Sequence, residues 1–270
     1  MEPDLELLAS VFPNLSTQLR MALSNLHLAA ARLVPARDRE QDPQLDARAA
    51  LLDQSYYQLL RLVNSLTAAA YLSRDHQLSL QNADLVAVVR DLFEGAESLA
   101  SMLGLELHLI CPKEQHICAI DRAALEQLLY QLLSNAFKFT PAGGVVTIEV
   151  KFQKARILLS VTDTGCGIPA EEMDTLFDRC LNSQTLSAPP QGLGLGLALC
   201  RSIAEGHGGV MLARSTVGKG SRFTLSLPDR LTDTIRMSDV SFDYTGGFNQ
   251  ALMQLADALP PEAFLLRNHL

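Results

Sequence analysis

The 270-residue chain has no tryptophan, only five cysteines and fewer basic residues (22 Lys and Arg) than acidic ones (30 Asp and Glu). Each shortage removes a class of function. The cysteines (Cys111, Cys118, Cys166, Cys180, Cys200) are odd in number and scattered, with no Cys-x-x-Cys pair and no histidine at zinc spacing. They exclude a disulfide framework and a zinc module, and read as reduced thiols of a cytoplasmic protein. The net charge of -8 excludes a broad nucleic-acid or anionic-membrane footprint, so any polyanion bound is expected to be small. No apolar run approaches the roughly 18 to 20 residues that cross a bilayer, and the opening MEPDLELLAS is acidic where a signal peptide is basic. The chain as given reads as soluble and cytoplasmic, with a membrane or sensor segment upstream of Met1 left open. At 48% apolar and 19% charged it has the composition of a folded globular chain, long enough for about two domains.

From Leu5 the apolar residues recur in steps of three and four through Leu8, Phe12, Leu15, Leu19, Ala22, Leu26, Ala29 and Leu33, a heptad seam. Pro13 predicts either a kink or a helix that begins there. A polar stretch from Pro35 to Pro43 breaks the pattern, and a second seam follows through Leu52, Ser55, Leu59, Leu62, Leu66 and Ala69. Two such helices make an antiparallel hairpin over residues 1–75. Its apolar stripe needs a cover, either a second copy forming a four-helix bundle or the protein's own C-terminal domain.

Residues 76–229 change texture to alternating strand and helix patterns, an α+β arrangement with a two-layer α/β sandwich. Strands are predicted at Leu78–Gln81, Leu105–Cys111, Ile117–Ile120, Val145–Phe152, Ile157–Thr162, Val210–Ser215 and Arg222–Leu227. Helices are predicted at Asp84–Leu103, from an Asp121 N-cap to Phe139, at Glu171–Phe177 and at Gly194–Gly206. Residues 230–270 read as a strand, Ile235–Tyr244, and an amphipathic helix with Phe248, Leu252, Leu255 and Leu259 on one face, serving as a domain cap or a partner-binding helix.

Three motifs stand in order along that domain. In Ser134-Asn135-Ala136-Phe137-Lys138-Phe139-Thr140 an amide oxygen suited to magnesium and a lysine suited to phosphate lie three residues apart, on one helical face. Asp163-Thr164-Gly165-Cys166-Gly167-Ile168-Pro169 follows a strand, so its carboxylate can accept from an exocyclic amine while the glycines let backbone approach a flat base. Gly192-Leu193-Gly194-Leu195-Gly196-Leu197-Ala198 opens a helix, where converging N–H groups and the helix dipole suit an anion. No Lys-Ser or Lys-Thr follows these glycines, against a P-loop, and no strand precedes them, against a dinucleotide fingerprint.

Together the motifs from about Asp121 to Pro228 resemble the ATP-binding domain of sensor histidine kinases, in the wider group with gyrase, Hsp90 and MutL, and Gly218-Lys219-Gly220-Ser221-Arg222-Phe223 resembles its closing hairpin. The resemblance implies ATP and Mg2+ as ligands, with Asn135 on magnesium, Lys138 and Arg179 on phosphate and Asp163 reading adenine. It implies further nucleotide contacts from Phe139, Gly165, Gly167, Ile168, Gly192, Leu193, Gly194, Leu195 and Gly196, under a lid from Asp178 to Gln191. Gln131 stands where the group's hydrolases carry a water-activating glutamate. An amide takes no proton, which disfavours hydrolysis and leaves phosphoryl transfer or simple binding.

The hairpin resembles, more loosely, the dimerisation and phosphoacceptor domain of the same kinases through Ser16, Leu19, Arg20 and Leu23. Thr17 replaces the acceptor histidine and Gln18 its acid. His27 lies ten residues on, roughly 15 Å along a helix, and reads as a surface histidine without a flanking acid. The expected protein is a homodimeric two-component kinase with a response regulator or partner kinase and a degenerate acceptor at Thr17. The alternatives are a non-catalytic ATP-sensing pseudokinase module and a protein-serine kinase.

Overall fold

The computed structural model describes residues 3–72, 78–173, 175–177, 195–233 and 249–268, without the side chains of 3–14, 66–72, 195 and 267. The expected strand at Ile235–Tyr244, and Phe248, lie outside the described residues. The chain divides into two compact units, residues 1–76 with 252–270 and residues 77–251.

The first unit is built on a helical hairpin, α1 (Pro3–Leu33) and α3 (Pro43–Leu72), joined through a short α2 (Ala36–Gln41). α1 starts at Pro3 and continues through Pro13, so the helix does not begin at the internal proline. The polar stretch after Pro35 is also partly helical: the second proline, Pro43, sits at a helix start, where a missing N–H costs little. The face shared by α1 and α3 carries Ser16, His27, Tyr56, Leu60 and Val63, all buried or half-buried. The predicted seam residues point elsewhere: Leu15, Leu19, Leu26, Leu33, Leu52, Leu59 and Leu62 are exposed in the single chain.

Another face of α3 is covered by the chain's own end. Gln54 Nε2 donates to Leu259 O at 2.8 Å, Arg61 Nη1 meets Asp257 Oδ2 at 2.9 Å, and Arg39 Nη2 donates to Phe264 O at 3.1 Å. Gln54, Tyr57, Arg61 and Asn64 recur at helical spacing, which is why one segment can follow them. The predicted C-terminal helix is short: α8 (Gln250–Leu255) stops before Leu259, yet Leu252, Leu255, Leu259 and Phe264 are all buried.

The second unit is an α/β sandwich. Five strands run in the order β2 (Glu106–Ile110), β4 (Val145–Gln153), β5 (Arg156–Asp163), β7 (Gly220–Pro228), β6 (Val210–Thr216), with only the β2–β4 pair parallel. A separate ladder pairs β1 (Gln81–Asp84) with β3 (Ile117–Ile120); the first strand lies three residues later than expected, because Leu78–Leu80 carry apolar character without ladder partners. Alternation sends Val146, Ile148, Val150, Ile157, Leu159, Val161, Phe223 and Leu225 into the core. α4 (Leu85–Met102), α5 (Arg122–Phe139) and α7 (Leu195–Gly206) cover that face with Leu85, Leu92, Leu125, Leu128, Leu132, Leu133 and Ile203, all buried. The helix expected at Glu171–Phe177 is one turn, α6 (Ala170–Met173).

The start of α5 is fixed by a buried histidine. His207 is 2% exposed; its Nδ1–H donates to Ile203 O at 2.8 Å and its Nε2 accepts from Asp121 N–H at 3.0 Å. Asp121 caps α5 through Ala124 N–H, at 3.1 Å from Oδ1. Burial lowers the His207 pKa below its ordinary 6.5, because desolvation of the charged ring outweighs the opposing effects of Ile203 O and Asp121. A lowered folded pKa means that the unfolded chain takes up the proton first. The stabilisation from neutral His207 is therefore present above pH 6.5 and is lost as pH falls through 6.5 toward the folded value. Urea denaturation of the wild type followed by circular dichroism is expected to show this acid-side loss, and His207→Gln to lower stability at pH 7.5 while shrinking the further loss between pH 6.5 and 5.

Candidate functional site

The exposed stripe of α5 carries the first motif. Gln131, Asn135 and Lys138 are half-buried at helical spacing, while Leu132, Leu133, Ala136 and Phe137 beside them are buried in the core. The amide of Asn135 and the ammonium of Lys138 therefore share the face that the core leaves open. Phe139, at the end of the helix, is 45% exposed.

Asp163 ends the central strand β5 and is 7% exposed. Its Oδ1 accepts from Gly165 N–H at 2.8 Å and Ser221 N–H at 3.2 Å. Burial pushes the carboxyl above the ordinary aspartate value, more than those two N–H groups pull it down. Both bonds use Oδ1, so among the described residues Oδ2 keeps its capacity to accept from a ligand.

Glycine is required around this carboxylate by contact. A Cβ at Gly165 would strike Phe139 O, at Gly167 (φ +71°) Thr216 O, and at Gly220 (φ +93°) Asp163 O. Those approaches stitch the motifs together. Cys166 N–H donates to Phe139 O at 3.2 Å, and Gly218 N–H to Cys166 O at 2.7 Å. Ile168 N–H donates to Ser215 Oγ at 2.7 Å, which itself bonds Gly220 O at 2.9 Å. Ser215 and the Ser221 N–H were not singled out from the sequence; the Gly-Lys-Gly turn at 218–220 was their only signal.

The third motif is described from its helix onward. Gly196 opens α7 against Gln131, and a Cβ there would fall on the Gln131 side-chain amide. Cys200 Sγ reaches Leu128 O at 3.7 Å, so α7 and α5 run together below the glycines. Leu195 belongs to α7 with its side chain outside the description, while Arg179, Gly192, Leu193, Gly194 and the lid from Asp178 to Gln191 lie outside the described residues.

In the helical unit Thr17 and Gln18 are exposed on α1, beside buried Ser16. His27 is not a surface histidine. Its side chain is 16% exposed, its ring stacks on Tyr56 at 4.3 Å, and Nδ1 lies 3.7 Å from Asp53 Oδ1. The acid comes from α3, which no inspection of its sequence neighbours could reveal. Asp53 is in turn held by Arg39 Nη1 at 2.8 Å.

Known proteins resemble this chain over much of its length. Residues 120–231 match the family described as histidine kinase-, DNA gyrase B-, and HSP90-like ATPase. The adaptive-response sensory kinase SasA of Synechococcus sp. is 30% identical over 221 residues, 78% of this chain and 56% of SasA. The sensor protein SrrB of Staphylococcus aureus is 30% identical over 80% of this chain and 37% of its own length. The non-motile and phage-resistance protein of Caulobacter vibrioides is 36% identical over 65% of this chain and 21% of its own length. The chain thus spans between a fifth and just over half of these relatives. The crystal structure of full-length ShkA in complex with AMPPNP matches with a TM-score of 0.66 and 25% identity, over 83% of this chain and 46% of that one. The Acinetobacter baumannii histidine kinase AdeS shares the fold, with a TM-score of 0.51, 23% identity and coverage of 66% and 84%. No described helix is long and apolar enough to cross a membrane.

The two turn glycines separate strain from contact. Gly218 has φ +75° with nothing within 4 Å of an added Cβ, whereas Gly220 meets Asp163 O. Gly218→Ala is expected to cost about 1 kcal/mol of strain, and Gly220→Ala roughly 2 kcal/mol more because Ser221 N–H is moved off Asp163. Paired thermal and urea melts check the difference.

Proposed function

We propose, from the match of residues 120–231 to the histidine kinase-, DNA gyrase B-, and HSP90-like ATPase family, that the protein binds ATP with Mg2+ and takes part in two-component phosphotransfer in the cytoplasm. It acts as a homodimer paired through α1 and α3, with a response regulator or partner kinase as its counterpart. The observation that carries this reading is the stitching of the Asp163 strand end to β7 and to the last turn of α5, the helix whose half-buried stripe carries Asn135 and Lys138. Asp163 Oδ2 accepts from the exocyclic amine of adenine, with backbone at Gly165, Gly167 and Ile168 beside the base and Phe139 as an apolar flank. Lys138 holds phosphate oxygens, and Arg179 and the N–H groups of Gly192, Leu193, Gly194, Leu195 and Gly196 add to that hold.

The donor set suits magnesium of the substrate-bridging kind. No described cluster of three His, Cys, Asp or Glu could cage a metal, and a single amide oxygen from Asn135 beside phosphate oxygens is what a magnesium held mainly by its nucleotide requires. When bound, the ion supplies neutralisation of the phosphate charge. Gln131, packed against Gly196, orients without accepting a proton, which supports transfer or binding over hydrolysis.

The homodimer reading rests on the exposed seam. Leu15, Leu19, Leu26, Leu52, Leu59 and Leu62 form an apolar surface on two helices of heptad spacing, the surface that a second hairpin covers in a four-helix bundle. At the acceptor position the exposed Thr17 hydroxyl has neither the nucleophilicity of imidazole nor a base in Gln18. That feature favours the second reading, an ATP-sensing pseudokinase in which nucleotide changes how the hairpin meets its partner.

Two tests follow. Calorimetric titration with ATP and Mg2+ is expected to show binding that Asp163→Asn weakens roughly 10- to 100-fold, the loss of one hydrogen bond to a charged acceptor, and that Asn135→Ala abolishes. Unimpaired binding in both variants refutes the site. Incubation with γ-labelled ATP separates the readings: label on the wild type makes it a kinase, and binding without label leaves the sensing module or an acceptor on another chain. Thr17→His with Gln18→Glu is expected to yield acid-labile, alkali-stable label at position 17; silence in that variant places the defect elsewhere than the acceptor.

A further inference from the structure

At the β2–β3 connection, away from the motifs above, the exposed Lys113 is built into a chain of side chains. Its Nζ lies 3.0 Å from His116 Nδ1 and 4.1 Å from the centre of the Phe152 ring. His116 Nε2 lies 2.9 Å from Asp229 Oδ1. A carboxylate can only accept, so Nε2 carries the hydrogen and the neutral ring turns the Nδ1 lone pair toward the Lys113 amine. The histidine is anchored through its backbone: its N–H donates to Asp84 Oδ1 at 3.0 Å and its carbonyl accepts from Leu85 N–H at 3.0 Å. Phe152 also packs on the imidazole, 4.6 Å between ring centres, and Cys111 Sγ donates to Lys113 O at 3.3 Å.

The chain has five lysines: Lys113, Lys138, Lys151, Lys154 and Lys219. Lys151 is paired with Glu149 at 2.8 Å, as surface lysines commonly are. Lys113 forms no ion pair with a carboxylate among the described residues; its polar partner is a base oriented by an acid. That is the arrangement that turns an amine into a nucleophile.

We propose that Lys113 is an acylation site for activated acyl donors, with His116 as its general base and Asp229 as the residue that positions His116. His116 Nδ1 takes a proton from the Lys113 ammonium, and the freed amine attacks the electrophilic acyl carbon. The C–N bond forms, the bond from carbon to the leaving oxygen or sulfur breaks, the leaving group departs as phosphate or thiolate, and the second amine proton passes to solvent. The product amide carries no charge, so acylation removes the cation from the Phe152 ring. Acyl phosphates and acyl thioesters share this electrophilic carbon and are distinguished by the test.

The full chain is incubated separately with acetyl phosphate and with acetyl coenzyme A, and the acetylation rate of each lysine is read by peptide mass spectrometry. Lys154, exposed in a turn, is the internal reference. Lys113 is expected to react about 100-fold faster than Lys154, at the low end of what a positioned general base contributes. His116→Gln is expected to bring the ratio to about one, and Asp229→Ala to lower it partway. A ratio near one in the wild type with both donors, or one unchanged in both variants, overturns the proposal. Reading a ratio within each sample keeps the test valid where a variant is less stable, and preference with one donor alone assigns the site to that donor.

Discussion

A carboxylate buried to 7% exposure at the end of a central strand cannot stand without donors, and the domain is organised around supplying them to Asp163. One donor comes from two residues on, at Gly165, and one from the neighbouring strand, at Ser221. Each demands that backbone come closer than a side chain permits, which places glycine at 165 and at 220. The turn before β7 is thereby pinned to β5, the loop after β5 to the end of α5, and Oδ2 is aimed by what remains after Oδ1 is satisfied. Removing the acid would leave two N–H groups without their acceptor in a site that the core has already closed on one side.

The second constraint is on the rotation of α5, because a helix turned by one residue would trade its half-buried stripe for core. The buried His207 fixes it at the N-terminal end through Asp121, and the apolar face from Leu125 to Phe137 fixes it along its length. Gln131 is held a third way, under Gly196. Neutral imidazole is what the arrangement needs, one nitrogen donating and one accepting. Asn135 and Lys138 consequently lie on the half-buried stripe opposite the core.

Much of the sandwich was legible in the sequence, and the reasons are local. The alternation in 145–153 and 156–163 and the Asp121 cap set strand and helix boundaries to within a residue or two. Gly165 and Gly167 were legible as turn and approach residues, since an added Cβ at either would strike backbone. What local pattern could not supply was pairing across the chain. His27 finds its acid 26 positions away on α3, Asp163 finds its second donor 58 positions away, and Lys113 finds Asp229 through His116. The one-turn α6 in place of a longer helix has the same origin: Ala170–Met173 has no buried residue, so helix propensity there lacks a packing face to extend it. The Leu78–Leu80 run read as a strand because apolar composition alone does not distinguish a ladder from a loop lying on the core.

The hairpin shows how one helix serves several surfaces. In α3 the residues buried against α1 include Tyr56, Leu60 and Val63, the residues under the returning C-terminus include Gln54, Tyr57 and Arg61, and the seam of Leu52, Leu59 and Leu62 is left over. The first two surfaces are satisfied within the chain, partly by polar contacts: burial lowers the Arg61 pKa while Asp257 opposes that shift. The third is apolar on both helices and has heptad spacing, a pattern suited to another helical surface of similar spacing. Thr17 and Gln18 are exposed on α1, outside the buried packing of these surfaces. The buried packing of the hairpin therefore rests on residues other than 17 and 18, which is why the fold of this unit and any reactivity at position 17 have to be argued from different residues.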